Sequence, residues 1–284
     1  MKTMVAIIKA ALYISFFAII QLLIMGIYLA INIVLKINEA DLENLMLTDI
    51  QNLAWQILED MLDQTPILMI ISGVAMIILL WAFFKLRHKR FRTEIYLKSI
   101  HASNITPLIL VGVATNFIAT LVATLIPYPE SWVTNYEQTI DFAVDSNTLM
   151  TILMVVVYAG IVEEVIFRGL VYTRLKRGMP MAIAMILSSV AFGAVHGSPI
   201  QIIYATLIGL VLVWVFEKFK SIVPSIIVHM VNNAVGLIVA WAAPLLEGNM
   251  LAVMIYIISM SAVTIMAGIW LLKKKESYRN IFVV

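Results

Sequence analysis

The chain has 284 residues, of which 62% are hydrophobic and only 13% are charged, and its mean hydropathy is +1.00. Charged residues make up roughly 25% of a soluble domain, so a soluble core of this length could not bury so much apolar surface, and lipid must solvate most of the chain. The absence of cysteine excludes disulfides, thiolate metal sites and cysteine nucleophiles. The net charge of +2 is small, and we expect no nucleic-acid partner.

Eight apolar segments follow one another along the chain, and most reach the roughly 20 residues that a helix needs to cross a bilayer. They run near 7–35, 66–84, 107–127, 148–172, 180–196, 200–216, 222–244 and 250–272. We therefore predict an all-α, polytopic membrane helix bundle of about eight transmembrane helices, with 1–284 forming a single transmembrane domain. We expect the first segment to be retained as a span. Apolar residues at helical spacing in 37–65 predict a separate helix on the outer membrane surface.

The Lys and Arg residues predict the orientation of these segments. The 37–65 and 127–147 loops carry seven and four acidic residues and no Lys or Arg, whereas the 85–106 loop carries six basic residues and one acidic residue. Further basic residues follow the fourth, sixth and eighth segments. Because cytoplasmic loops are enriched in Lys and Arg, we predict that both termini are cytoplasmic. This arrangement places sixteen of the nineteen Lys and Arg residues on the cytoplasmic side.

Polar side chains at membrane depth are few in this chain. Charged residues there are rare in general and are usually functional, because each is costly unless it is paired. The fourth, fifth and seventh segments carry the candidates, which are Glu163, Glu164, Arg168, His196, His229 and Asn233. A shared cavity inside the bundle is the simplest arrangement that satisfies them all.

Helical geometry divides these residues into pairs. Glu164 and Arg168 are four residues apart, so they share one helix face and can form an ion pair. Glu163 points about 100° away, so Arg168 is not placed to neutralise it directly. His229 and Asn233 repeat the four-residue spacing on another helix.

Several chemistries are compatible with these residues alone. Glu163, His196 and His229 could form a three-ligand zinc site with an open position, although the His-Glu-x-x-His pattern of zinc peptidases is absent. A transporter or proton relay could also use intramembrane carboxylates and histidines, although the chain shows no internal repeat. A purely structural set of interhelical contacts is the third possibility.

Three motifs, each in an apolar helix and in a fixed order, together resemble a known family. Glu-Glu-x-x-x-Arg, Phe-x-x-x-His and His-x-x-x-Asn are similar to the motifs of the CAAX protease and bacteriocin-processing family of intramembrane endopeptidases. The eukaryotic relatives of this family are the type II CAAX prenyl endopeptidases. The motif-bearing catalytic core covers about 148–240. Its motif positions are occupied by Glu163, Glu164, Arg168, Phe192, His196, His229 and Asn233.

The resemblance implies an intramembrane protease of the glutamic type, a hydrolase that cleaves a small membrane-associated peptide or protein. Glu163 would act as the general base, and His196 would help to hold and activate a water molecule. His229 and Asn233 would donate hydrogen bonds to the oxyanion. Supporting roles fall to Glu164, Arg168 and Phe192. No cofactor is favoured, and zinc bound by Glu163, His196 and His229 is the alternative.

The resemblance also implies partners and a location. We expect a multi-pass protein of the bacterial cell membrane, with a membrane-associated peptide as substrate and a possible membrane protein partner. Bacteriocin processing and self-immunity are the roles that the family suggests. The alternative function is a non-catalytic scaffold or regulator that acts in bacteriocin immunity or binds a sensor kinase. The basic 85–106 loop predicts a topology signal and a contact for anionic lipids, or a docking site for a partner.

Overall fold

The computed structural model describes residues 1–39, 46–145 and 148–273. Within these ranges the regular structure is entirely helical. The long helices are α1 (Lys2–Glu39), α2 (Leu47–Leu86), α3 (Ile105–Thr124), α4 (Glu130–Asp145), α5 (148–176), α6 (Met181–Ala194), α7 (Pro199–Phe219), α8 (Ile222–Leu246) and α9 (Met250–Lys273). A one-turn helix (Phe91–Glu94) and a 3-10 turn (Ala102–Asn104) lie in the loop between α2 and α3.

Seven of the described helices, namely α1 to α3, α5 and α7 to α9, are long and apolar enough to cross a membrane. The chain is therefore an integral, multi-pass membrane protein, and the predicted polytopic helix bundle is confirmed. The sequence predicts about eight spans, one more than the seven among the described helices, and the additional predicted span is the 180–196 segment. It forms α6, which has 14 residues and is about 21 Å long at 1.5 Å per residue. The hydrocarbon core is roughly 30 Å thick.

Helix α2 differs from the prediction for residues 37–65. Leu47–Leu86 is one helix of 40 residues that continues through Pro66, so a separate surface helix in this region is wrong. The extension beyond the span packs at the end of α1, where Lys36 Nζ lies 3.3 Å from Asp60 Oδ2. Apolar periodicity indicated a helix correctly but could not show that it continues into the span. Two acidic residues of this loop, Asp41 and Glu43, lie outside the described residues.

Helix α5 is the centre of the bundle and contacts α1, α2, α6, α7 and α8. Residues 164–175 are all buried. The helix alternates between α-helical and wider π-helical turns, and the π-helical stretches are Leu153–Tyr158 and Val165–Tyr172. Such π-helical turns are rare and are found frequently at functional sites. The Glu163 and Glu164 pair lies directly between the two stretches.

Two apolar clusters hold the bundle together. The larger surrounds α5 and includes Phe167, Tyr172, Phe192 and Phe216. The smaller joins α3, α7, α8 and α9. Many large apolar side chains on α1 and α9 are exposed, as expected for helices that face lipid.

Most of the basic clusters lie together at one end of the bundle. Arg174 after the fourth predicted span pairs with Glu94 in the 85–106 loop, and Lys176 pairs with Glu217 at the end of α7. The Ser221 hydroxyl donates to the Lys98 carbonyl at 2.7 Å. This grouping is what the predicted topology requires, whereas the cytoplasmic location of this end stays a prediction. Lys274 and Lys275 of the last basic cluster lie outside the described residues.

Glu94 is the acidic centre of this basic end. Its carboxylate lies 2.6 Å from Arg174 Nη2 and 3.2 Å from Lys89 Nζ. Burial acts to raise the pKa of Glu94. The hydrogen bond from Lys89 and the charges of Arg174, Lys89 and Arg177 outweigh that effect and hold the pKa below its ordinary value of 4.5. The ionised carboxylate therefore stabilises the folded state.

A pH dependence of stability follows from the lowered pKa of Glu94. The stabilisation is fully present above the ordinary value of 4.5 and decreases as the pH falls through the lower folded-state pKa. We expect wild type to lose more thermal stability between pH 7 and pH 4 than Glu94→Gln, measured as unfolding midpoints in detergent. Equal losses in the two proteins would contradict this expectation.

Helices α6 and α7 approach each other closely at Gly193. A Cβ atom at this position would collide with the Thr206 hydroxyl oxygen and the Ile202 carbonyl oxygen. Because the carbonyl belongs to a helix backbone, it cannot move aside easily. We expect Gly193→Ala to reduce the free energy of unfolding by about 1–3 kcal/mol, measured by thermal unfolding of the purified protein.

The matched control for this substitution is Gly26→Ala on α1. Nothing lies within 4 Å of a Cβ atom built at Gly26. Alanine has a higher helix propensity than glycine, so Gly26→Ala is expected to leave stability unchanged or to raise it slightly. Similar destabilisation of both variants would show that the close α6–α7 contact is not the cause.

Candidate active site

The predicted ion pair between Glu164 and Arg168 is present in the centre of the bundle. Arg168 Nη1 donates to Glu164 Oε1 at 2.7 Å, and the two side chains are at most 1% exposed. Arg168 Nη2 also donates to the Gly209 carbonyl of α7 at 3.2 Å. The pair thus compensates two buried charges and links α5 to α7.

His229 of α8 lies between the two neighbouring carboxylates. Its Nδ1 is 2.9 Å from Glu164 Oε1, and its Nε2 is 3.8 Å from Glu163 Oε2. The contact with Glu164 was not predicted, because the sequence shows only that Glu164 can reach Arg168 on its own helix. Glu164 therefore binds two partners, Arg168 and His229, through the same oxygen.

Glu163 has fewer partners than Glu164. Its side chain is 13% exposed, and its Oε2 atom is buried without a hydrogen-bond partner among the described residues. Arg168 forms its ion pair with Glu164 and not with Glu163, as the helical geometry predicted. Glu163 is thus a carboxylate with an oxygen available to accept a proton, beside a histidine ring.

Phe192 of α6 brings the two histidines and the arginine together. Its buried ring lies 5.0 Å from the His196 ring and 5.6 Å from the His229 ring, measured between centroids. The guanidinium carbon of Arg168 is 4.3 Å from the centroid of the same ring. Phe192 therefore joins α6 to the polar residues of α5 and α8. It makes a cation–π contact with Arg168 and edge-to-face contacts with the two histidines.

His196 lies in the turn that follows α6 and is half-buried. Its Nδ1 is 2.8 Å from the Phe192 carbonyl oxygen. A carbonyl oxygen can only accept a hydrogen bond, so Nδ1 must carry the proton in this contact. In the neutral ring, Nε2 is then an unprotonated acceptor.

Asn233 is held by a polar network that extends to α3 and α7. Its Nδ2 donates to the Val155 carbonyl, which belongs to the first π-helical stretch, at 2.7 Å. Its Oδ1 accepts from Asn232 Nδ2 at 2.9 Å. Asn116 Nδ2 in turn donates to the Asn232 carbonyl and to the Tyr204 hydroxyl. Asn116 and Asn232 were visible in the sequence as polar residues within spans, but their link to Asn233 depends on helix packing.

The arrangement of acidic and histidine side chains bears on the zinc alternative. In the described part of the chain, no group of three or more His, Cys, Asp or Glu residues is placed to hold a metal ion. Glu163 and His229 are near each other, but the three predicted ligands Glu163, His196 and His229 do not form such a group. Zinc therefore gains no support from the geometry of the described residues, and it stays the alternative prediction.

Fold and site together define a multi-pass membrane protein that carries two carboxylates, two histidines, an arginine and an asparagine inside its helix bundle. Residues 145–235 match the family model described as type II CAAX prenyl endopeptidase Rce1-like. The match covers about a third of the chain and contains all seven motif residues. It confirms the resemblance given by the three motifs and indicates an intramembrane endopeptidase, a hydrolase. Comparison with curated proteins and with solved structures found no match.

Proposed function

We propose that the chain is a glutamate-dependent intramembrane endopeptidase in which Glu163 acts as the general base toward a water molecule. One observation carries the proposal. Of the two adjacent glutamates, Glu164 is neutralised by Arg168 at 2.7 Å, whereas Glu163 pairs with no Lys or Arg among the described residues. Both have a buried Oε2 atom without a hydrogen-bond partner in the described ranges, but only the Glu163 carboxylate also lacks a cationic arginine beside its other oxygen. A carboxylate in this state can take a proton from water and later give it to the leaving amine.

His196 is proposed to hold the attacking water. Its Nδ1 proton is engaged with the Phe192 carbonyl, so Nε2 of the neutral ring can accept a hydrogen bond from water. The Phe192 ring contacts the rings of both His196 and His229, which supports placing the two histidines around one site. Water held by His196 and deprotonated by Glu163 would attack the carbonyl carbon of the peptide bond.

His229 and Asn233 are proposed to stabilise the oxyanion of the tetrahedral intermediate. One Nδ2 hydrogen of Asn233 is engaged with the Val155 carbonyl, which leaves the second hydrogen for the oxyanion. His229 donates Nδ1–H to Glu164, so donation from Nε2 requires both ring nitrogens to be protonated. The resulting imidazolium would lie between the carboxylates of Glu163 and Glu164. Removing one oxyanion donor commonly reduces turnover by about 10²–10³-fold.

Glu164, Arg168 and Phe192 are proposed as positioning residues. Glu164 orients the His229 ring, and Arg168 fixes Glu164 while it binds the Gly209 carbonyl on α7. The Phe192 ring packs against Arg168, His196 and His229. These residues act on the reaction through the groups that they hold.

The reaction is proposed to need no metal, with zinc on Glu163, His196 and His229 as the competing possibility. Dialysis of the purified protein against a chelator distinguishes the metal-free reaction from the zinc-dependent one. Unchanged cleavage activity is expected. Loss of activity that returns on addition of Zn²⁺ would establish the zinc form instead.

The proposed substrate is a small membrane-associated peptide or protein, because the site lies within the membrane-spanning helices α5 and α8. The proposed setting is a bacterial cell membrane with both termini in the cytoplasm. Bacteriocin processing and self-immunity are the proposed roles.

The test compares the small membrane peptidome of cells that express wild type, Glu163→Ala or His196→Ala at equal membrane levels. Peptide products present with wild type are expected to be absent with both variants. Glu130→Ala is the matched control, because Glu130 is an exposed glutamate at the start of α4. If both site variants still perform the wild-type function, the protease proposal fails and a non-catalytic scaffold or regulator is favoured.

A further inference from the structure

A cavity of about 590 Å³ lies between α1 and α2 at the basic end of the bundle. This volume is typical of sites that bind small organic ligands, which measure roughly 300–1,000 Å³. None of the candidate active-site residues lines it. The cavity is therefore a separate feature of the protein, and an inference about it does not depend on the proposed protease activity.

The mouth of the cavity is cationic. Five of the residues that line it are Lys or Arg, and none is acidic. Lys89 and Arg174 are partly neutralised because they share Glu94. Lys9, Arg87 and Arg177 form no ion pair with any described residue. Among the described residues, Lys9 and Arg87 thus have no carboxylate partner, and Arg177 acts on Glu94 only through its charge, without a direct ion pair.

The remainder of the cavity is apolar and extends into the membrane-spanning part of α1 and α2. Leu12 and Phe16 line it from α1, and Leu79 and Phe83 line it from α2. Leu79 precedes Arg87 by eight residues, which corresponds to about 12 Å along the helix. Arg87 lies over the Phe83 ring, 5.6 Å from its centroid. The cavity lining therefore changes from cationic to apolar along the axis of α2.

We propose that this cavity binds an anionic glycerophospholipid. The headgroup phosphate would lie among Lys9, Arg87 and Arg177, and the upper acyl chain would lie against Leu12, Phe16 and Phe83. Charge complementarity favours an anionic over a zwitterionic lipid, and basic pockets between transmembrane helices are known recognition sites for anionic headgroups. The apolar depth favours a lipid over a free anion, because a phosphate ion would leave that surface unoccupied.

The experiment uses the full chain, purified in detergent and depleted of lipid. Dioleoyl phosphatidylglycerol and dioleoyl phosphatidylcholine are titrated separately, and bound lipid is counted by native mass spectrometry. These lipids have identical acyl chains, so the comparison isolates the headgroup. We expect wild type to retain phosphatidylglycerol about tenfold more strongly. Lys9→Gln/Arg87→Gln/Arg177→Gln should retain the two lipids about equally.

The matched control is Lys85→Gln/Arg90→Gln/Arg92→Gln, which removes three exposed basic residues from the same end but none that lines the cavity. It should keep the wild-type preference. Leu12→Trp, which obstructs the apolar part without changing charge, should weaken retention of both lipids. Equal retention of both lipids by wild type, or an equal loss of preference in the control, would overturn the proposal. Displacement of the bound phosphatidylglycerol by millimolar inorganic phosphate would also overturn it, because the site would then bind a simple anion.

Discussion

Replacing Arg168 with Met is expected to lower the free energy of unfolding by about 3–5 kcal/mol. Arg168 and Glu164 are both almost fully buried, and their ion pair of 2.7 Å compensates the two charges. Without the guanidinium, Glu164 keeps only His229 as a polar partner among the described residues, and the Gly209 carbonyl loses the hydrogen bond that Arg168 donates. The effect is measured as the thermal unfolding midpoint of the purified protein in detergent.

Arg92→Met is the matched control for this prediction. Arg92 is exposed on the one-turn helix Phe91–Glu94, so its replacement should change stability by less than about 0.5 kcal/mol. The double variant Glu164→Gln/Arg168→Met should be more stable than the sum of the two single effects predicts, because both charges are removed together. Equal unfolding midpoints for Arg168→Met and Arg92→Met would show that the buried pair does not stabilise the fold.

Glu163→Gln is expected to reduce the turnover number for peptide cleavage by about 10²–10⁴-fold. Glutamine has nearly the same shape as glutamate but cannot accept the proton of the attacking water. The replacement breaks no ion pair with Lys or Arg among the described residues, since the contact of Glu163 in the ion-pair range is His229 Nε2 at 3.8 Å. Thermal stability and KM should therefore change little. The measurement is a cleavage time course on a peptide identified from the membrane peptidome.

Two further glutamate variants show whether the effect belongs to Glu163 alone. Glu130→Gln, at an exposed position, should leave turnover and stability unchanged. Glu164→Gln should lower stability, because Glu164 is bound to both Arg168 and His229. Wild-type turnover in Glu163→Gln would eliminate Glu163 as the general base, whatever the other variants show.

Much of the fold class and one contact within the site could be predicted from local sequence. Composition and the length of the apolar segments indicated a polytopic helix bundle, because only helices and closed barrels satisfy the backbone in lipid. The four-residue spacing of Glu164 and Arg168 predicted their ion pair, because such residues share a helix face. Clustered Lys and Arg residues likewise predicted that distant loops lie at one end of the bundle.

Contacts between helices were decided by the tertiary structure. The position of His229 between two carboxylates depends on how α8 is rotated against α5, and no spacing within either helix encodes that rotation. The Asn116–Asn232–Asn233 network depends in the same way on α3 and α8. Hydropathy could not show that 180–196 forms a short helix, because α6 is as apolar as a span but ends after 14 residues. Periodicity is a property of one helix, whereas the candidate site residues come from three helices, α5, α6 with the turn that follows it, and α8, whose rotation and close approach are set by side-chain packing.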